Sequence, residues 1–123
     1  MARTLAQKLL LKPGGRVRVV NAPGDVALGE LPEGAAPAAP GEAADVVLLF
    51  VQDSSELARH AESFAEAAHE DSAAWVAYPK GASGRTTDIS RDRGWEPLVE
   101  AGLVGVTLVA VDDTWSAMRF RPA

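Results

Sequence analysis

The run DVVLLFV, Asp45 to Val51, is apolar from its second residue to its last. A strand with one wet face alternates apolar and polar residues. An unbroken run of this length therefore predicts a central parallel strand covered on both faces. Such a strand needs parallel neighbours joined by helical crossovers, and the flanking sequence supplies them. RVRVVNA (Arg16 to Ala22) and AAWVAYP (Ala73 to Pro79) read as two further strands. Between the runs, SSELARHAESFAEAAHE puts Leu57, Ala61, Phe64 and Ala68 on one helical stripe. Asp53 is placed to cap that helix, with Glu56 three residues later as the capping-box partner. A second helix is expected over Ile89 to Ala101, ended by Gly102. LVGVTLVAV, a turn at DDT and WSAMRFRP then form an antiparallel hairpin.

Ahead of the first strand, RTLAQKLLLK reads as a short amphipathic helix stopped by PGG. Residues 23–44 are rich in Pro, Gly and Ala; they offer a weak helical turn at DVALGEL and a short strand near Ala35–Ala38. The expectation is one α/β domain over residues 1–123, built on a mostly parallel sheet with a closing hairpin. Ligands of such sheets sit beyond the carboxyl ends of the strands. That rule selects NAPGD, VQDSS and YPKGASGRTTD as the three converging segments.

Charge and composition exclude several function classes. There is no cysteine, which removes disulfides, thiolate metal sites and cysteine nucleophiles. The net charge of −5 is unevenly spread. Residues 1–18 carry Arg3, Lys8, Lys12, Arg16 and Arg18 without an acid, whereas from 19 to 79 Arg59 stands alone against eleven acids. With no continuous basic face, duplex nucleic acid is a poor partner. No apolar run is long enough for a bilayer, and the start lacks the pattern of a signal peptide, so no membrane partner and a cytoplasmic location are expected. A chain rich in Ala and Arg but poor in Lys and Asn is the composition of a GC-rich bacterial genome.

The segments KPGGRVRVVNAP, ADVVLLFV, WVAYPK, SGRTTDISRD and VAVDDTWSAMRFRP resemble a family of small bacterial proteins of unknown function. More broadly, the order of strands and the closing hairpin resemble the three-layer, Rossmann-like fold of S-adenosylmethionine-dependent methyltransferases. That resemblance implies a first strand at GGRVRVVNAPGD, a fourth-strand position at ADVVLLFV and a fifth at AAWVAYPK. It implies S-adenosylmethionine as the cofactor, over Asn21, Asp25, Gln52 and Asp53. The cofactor turn of that fold is glycine-rich, but here it has Pro23 and only Gly24. About one helix and strand unit is missing between Gly24 and Ala44, and the acid expected to end the second strand has only Glu33 or Glu42 nearby. The expectation is a reduced domain with no cofactor.

Lys80, Ser83, Arg85, Thr86, Thr87, Asp88 and Arg91 are the candidate small-anion site, because hydroxyls, cations and the N–H groups of a helix start suit an anion. The plain alternative is that Thr87 or Asp88 caps the helix while the arginines pair with acids. Neither a Walker loop nor a nucleophile elbow fits, since Pro79 and Arg85 stand where glycine or lysine is required. Ser83 also lacks a histidine, as His60 and His69 lie on the acidic helix. On that helix Glu66 and His69, with Glu62 and Glu70, match a metal-site spacing but have no second helix opposite, so a solvated face is expected. Asn21 and Asp25, like Asp112 and Asp113, read most simply as turn residues. Trp75, Trp115, Phe50, Phe64 and Phe120 are assigned to the core, while Trp95, in a polar helix, stands evenly between core and partner surface.

Three functions follow as expectations. The first is a non-catalytic domain binding a small anion or a partner through the Lys80–Asp92 loop. The second is a divergent methyltransferase. The third is an assembly subunit, a homo-oligomer pairing through its basic N-terminal helix or a sheet edge.

Overall fold

The structure, a computed structural model, describes residues 4–23, 29–70, 72–80 and 87–123. Its elements are α1 (Leu5–Lys8), β1 (Arg16–Val20), β2 (Ala36–Pro37), β3 (Val46–Phe50), α2 (Ser54–His69), β4 (Ala73–Pro79), α3 (Glu96–Glu100), β5 (Leu103–Ala110) and β6 (Trp115–Pro122). The six strands form one mixed sheet in the order β2-β1-β3-β4-β6-β5. β2, β1, β3 and β4 run parallel, and β6 is antiparallel to both β4 and β5.

The apolar run occupies the middle of the parallel part, and all five β3 residues are buried. Its side chains alternate between two cores. Val47, Leu49 and Val51 pack under α2 and α3 with Phe64, Leu98 and Phe120. Val46, Leu48 and Phe50 pack on the opposite face with Leu9, Trp75 and Trp115. Trp75 also donates its indole N–H to the Leu9 carbonyl at 3.0 Å, fastening the N-terminal segment to β4.

The strands and hairpin lie where the sequence puts them, and so does the short strand near Ala36. Of the weak turn at DVALGEL, residues 25–28 lie outside the described residues. In place of a longer strand and helix, two arginines of β1 tie down the segment from Gly34 to Glu42. Arg16 donates to the carbonyls of Gly14, Gly15 and Gly34 and sits 3.6 Å from Glu42. Arg18 donates to the carbonyls of Ala39 and Glu42. Part of the basic N-terminal charge is thereby spent on the fold.

Two helices are shorter than expected. α1 carries a capping box between Thr4 and Gln7, but the chain turns at Leu10 (φ 72°), before PGG is reached. The second expected helix, Ile89 to Ala101, is helical only from Glu96. Residues 90–93 instead form a tight turn bridged between Ser90 and Arg93. Gly94 follows at φ 92°, where a Cβ would lie 2.9 Å from the Ile89 side chain. Trp95 is buried, with its ring against Tyr78 and Phe120, and belongs to the core rather than to a partner surface.

Candidate functional site

The carboxyl ends of β1 and β3 meet the start of α2, and the expected residues converge there. Asn21, at φ 59°, donates its amide to the Phe50 carbonyl at 2.8 Å and to Glu56 Oε1 at 2.6 Å. Gln52 donates its backbone N–H to the same Glu56 oxygen at 3.2 Å. Asp53 caps α2 by accepting the Glu56 N–H at 2.9 Å. Only half of the predicted capping box is thus made, because the Glu56 carboxylate turns to Asn21 and Gln52 instead of the Asp53 N–H.

Asp88, in the segment between β4 and α3, also reaches this cluster. Its carboxylate accepts the Ser54 N–H at 2.8 Å and also the Ser54 hydroxyl. It therefore serves the N-terminus of α2 and not the helix that follows it in sequence, which corrects the expectation that Asp88 or Thr87 caps that helix. Thr87 accepts the Ile89 N–H within its own turn. Three carboxylates, Asp53, Glu56 and Asp88, consequently occupy the positive end of α2, where an external anion would otherwise bind.

The Ser54 hydroxyl and then the Ser54 N–H hold the Asp88 carboxyl below the usual aspartate range. The sign follows directly. A carboxyl whose folded-state pKa is depressed stabilises the fold above its unfolded pKa, and that contribution disappears as pH falls through the folded value. Asp88→Ala is expected to lower the urea midpoint at neutral pH. The gap to the parent chain should close as the pH is taken down through the acid range. Equal gaps at neutral and acid pH would refute the assignment.

Lys80 continues β4 and donates its backbone N–H to the Thr114 carbonyl at 2.8 Å. Arg91 is exposed in the 90–93 turn, where its charge opposes the upward push that burial gives the Tyr78 phenol. Ser83, Arg85 and Thr86 of the anion site, and Asp25 of the cofactor pocket, lie outside the described residues. On α2, Glu62, Glu66, His69 and Glu70 are exposed, as a solvated face requires, and no metal-holding group of acids and histidines occurs among the described residues. Asp112 forms the hairpin turn by accepting the Thr114 and Trp115 N–H groups at 2.8 Å each.

A second surface lies at the far edge of the sheet. A groove of about 880 Å³ runs between α3 and β5, floored by Leu103, Gly105, Met118 and Phe120 and rimmed by Val99 and Leu108. Val99 is 61% exposed and Leu108 41%. Among the described residues β5 is the last strand of the sheet, with β6 on one side and no strand neighbour on the other. Sequence reasoning named a sheet edge without choosing one. The available signal was an eight-residue strand, LVGVTLVA, with no charge at the chain's last hairpin.

No helix among the described residues is long and apolar enough to cross a membrane. Comparison of the chain with protein-family models, with curated proteins and with solved structures returns no match in any of the three.

Proposed function

We propose that this chain is a non-catalytic partner-binding domain on a reduced, methyltransferase-like Rossmann scaffold, and that it works through the α3–β5 groove. The observation that carries this reading is a contrast between two places. The strand ends are filled by the protein's own carboxylates and their donors, whereas the largely apolar groove between α3 and β5, with Arg91, Asp92, Glu96 and Glu100 also in its lining, has no such internal occupant among the described residues.

The scaffold assignment is supported by strand order. With β1, β3 and β4 at the first, fourth and fifth positions, β2 takes the second, and 2-1-4-5 is the centre of the Rossmann order. The cofactor assignment finds no such support. β2 ends at Pro37 and runs into two alanines, where an acid for the ribose hydroxyls belongs. Glu42, nearby, accepts the Ala39 N–H and lies beside Arg16. The described residues do not fit S-adenosylmethionine.

Thermal-shift measurements with S-adenosylmethionine, S-adenosylhomocysteine, nucleotides and phosphate at millimolar concentration test the reading. A ligand at a hundred times its Kd stabilises by about 2.7 kcal/mol, a rise of several degrees in Tm. No shift is expected from any of the four. A rise with either cofactor form would favour a divergent methyltransferase, and a rise with phosphate would favour an anion site at Lys80 and Arg91.

A further inference from the structure

We propose that the cavity between β1 and α2 binds a free α-amino acid with an aliphatic side chain. The site is separate from the α3–β5 groove, and the partner reading above is neither needed for it nor tested by it.

The cavity exists because a crossover lacks its helix. β2 and β3 run parallel on either side of β1, so the chain between them must pass over β1. Such a connection normally takes a dozen or more residues and carries a helix. Residues 38–45 make it without one. They pass on the α2 side of the sheet. Arg18 donates to the carbonyls of Ala39 and Glu42 there, and Val20, two residues on and so on the same face, packs against the α2–α3 core. α2 has α3 along one flank. Along the other, where a crossover helix would pack, a cavity of about 270 Å³ remains.

Its floor is apolar and one end is charged. Val20 and Leu49 form one cross-strand pair of the floor, Arg18 and Val47 the next. α2 joins two parallel strands and therefore runs antiparallel to them. Its C-terminal turns thus bring Glu66 and Glu70 toward the Arg18 end, with His60 and Ser63 toward the other. Arg18 spends Nη2 on the two carbonyls, and its Nη1 has no hydrogen-bond partner among the described residues. The Glu66 and Glu70 carboxylates have none there either, and neither is ion-paired with Arg18.

Opposite charges that share a small cavity without pairing fit a ligand that carries both. A simple anion would face two carboxylates, and a simple cation would face the guanidinium. The head of an α-amino acid answers each group. Its carboxylate would accept from Arg18 Nη1 and its ammonium would donate to Glu66 or Glu70. Its side chain would then lie along Val20, Val47 and Leu49, against Phe64. Volume limits that side chain. The cavity is below the roughly 300–1,000 Å³ of drug-sized sites, which suits leucine, isoleucine or valine and excludes adenosyl-bearing amino acids.

Titration of the isotope-labelled chain with L-leucine at millimolar concentration should give saturable shifts at the Val20, Leu49 and Ser63 amides. Isocaproate, which lacks the ammonium, and isoamylamine, which lacks the carboxylate, should each bind about ten- to a hundredfold more weakly, the worth of one charge-assisted contact. In Glu66→Gln/Glu70→Gln, both exposed positions, leucine should bind no better than isocaproate. Ser63→Leu, exposed on α2 and lining the cavity, should fill it and abolish the leucine shifts with unchanged far-UV circular dichroism. An absence of shifts with leucine overturns the proposal, and so do shifts that persist in Ser63→Leu. Isoamylamine binding as tightly as leucine would make this a plain cation site, and isocaproate doing so a plain anion site; either result overturns it too.

Discussion

Trp75→Ala is expected to cost about 3–5 kcal/mol, the range for removing a buried tryptophan, and to lower Tm by about 10–20 °C. The residue is 1% exposed in the middle of β4, registered against Leu48 on one side and Arg119 on the other. On its face of the sheet the only helix among the described residues is α1, with four residues, so much of the cover comes from Leu9, Leu11 and loop residues. The indole fills the centre of that thin layer, and its N–H satisfies the Leu9 carbonyl. Removing it opens a cavity and leaves the N-terminal segment without its long-range tie. Trp75→Phe should cost less, because most of the apolar volume stays and the main loss is one hydrogen bond of about 1 kcal/mol plus the shape change. Urea unfolding followed by circular dichroism measures both. Hydrogen exchange should quicken at the Leu9 and Leu11 amides, which are bonded to the Leu5 and Ala6 carbonyls. A Trp75→Ala loss near 1 kcal/mol would mean that the N-terminal segment is held by other contacts.

The parallel strands were legible because their signal is local and repeated. Six apolar residues in a row between turn residues leave little choice, and β3 is buried throughout. The helix error has an equally local cause. Ile89 to Ala101 has the apolar spacing of a helix, but Gly94 takes φ 92° and breaks it, and Pro97 sits in the first turn of the real α3. Proline just inside a helix start and glycine just past its end, here Gly102, mark the five-residue helix in the sequence itself. The left-handed turn at Leu10, just past the end of α1, had no such mark, since a left-handed leucine is a product of packing and not of propensity.

Candidate-site residues divide the same way. Asn21, Gln52 and Asp53 lie together, as the rule that strand ends converge expects. Their partners were not found, because Asn21–Glu56 and Ser54–Asp88 join residues 35 and 34 apart in sequence. Nothing near Asp88 announces that it serves α2. The hairpin was plain, but the bulge at Val106 was not, since it depends on how β5 registers against β6.

Trp95→Ala carries the other large effect, again about 3–5 kcal/mol, and it bears on the strand-end cluster. The ring is 8% exposed, edge-on to Tyr78 at 5.3 Å and tilted against Phe120 at 5.0 Å. Its N–H donates to the carbonyls of Ser90 and Arg91, at 2.9 and 3.1 Å. One indole therefore buries apolar surface against the α2–α3 core and closes the turn that presents Asp88 to Ser54. Trp95→Phe keeps much of the aromatic packing and loses the two carbonyl contacts, so it should fall between the parent and the alanine variant. If the turn delivers Asp88 to α2, Asp88→Ala should destabilise the parent chain more than it destabilises the Trp95→Ala background. Residues acting through one structural unit are not additive in a double-mutant cycle. Strict additivity in urea unfolding would show that Asp88 finds Ser54 without the turn. The strand-end cluster would then be fastened by its own hydrogen bonds and independent of the aromatic core beneath it.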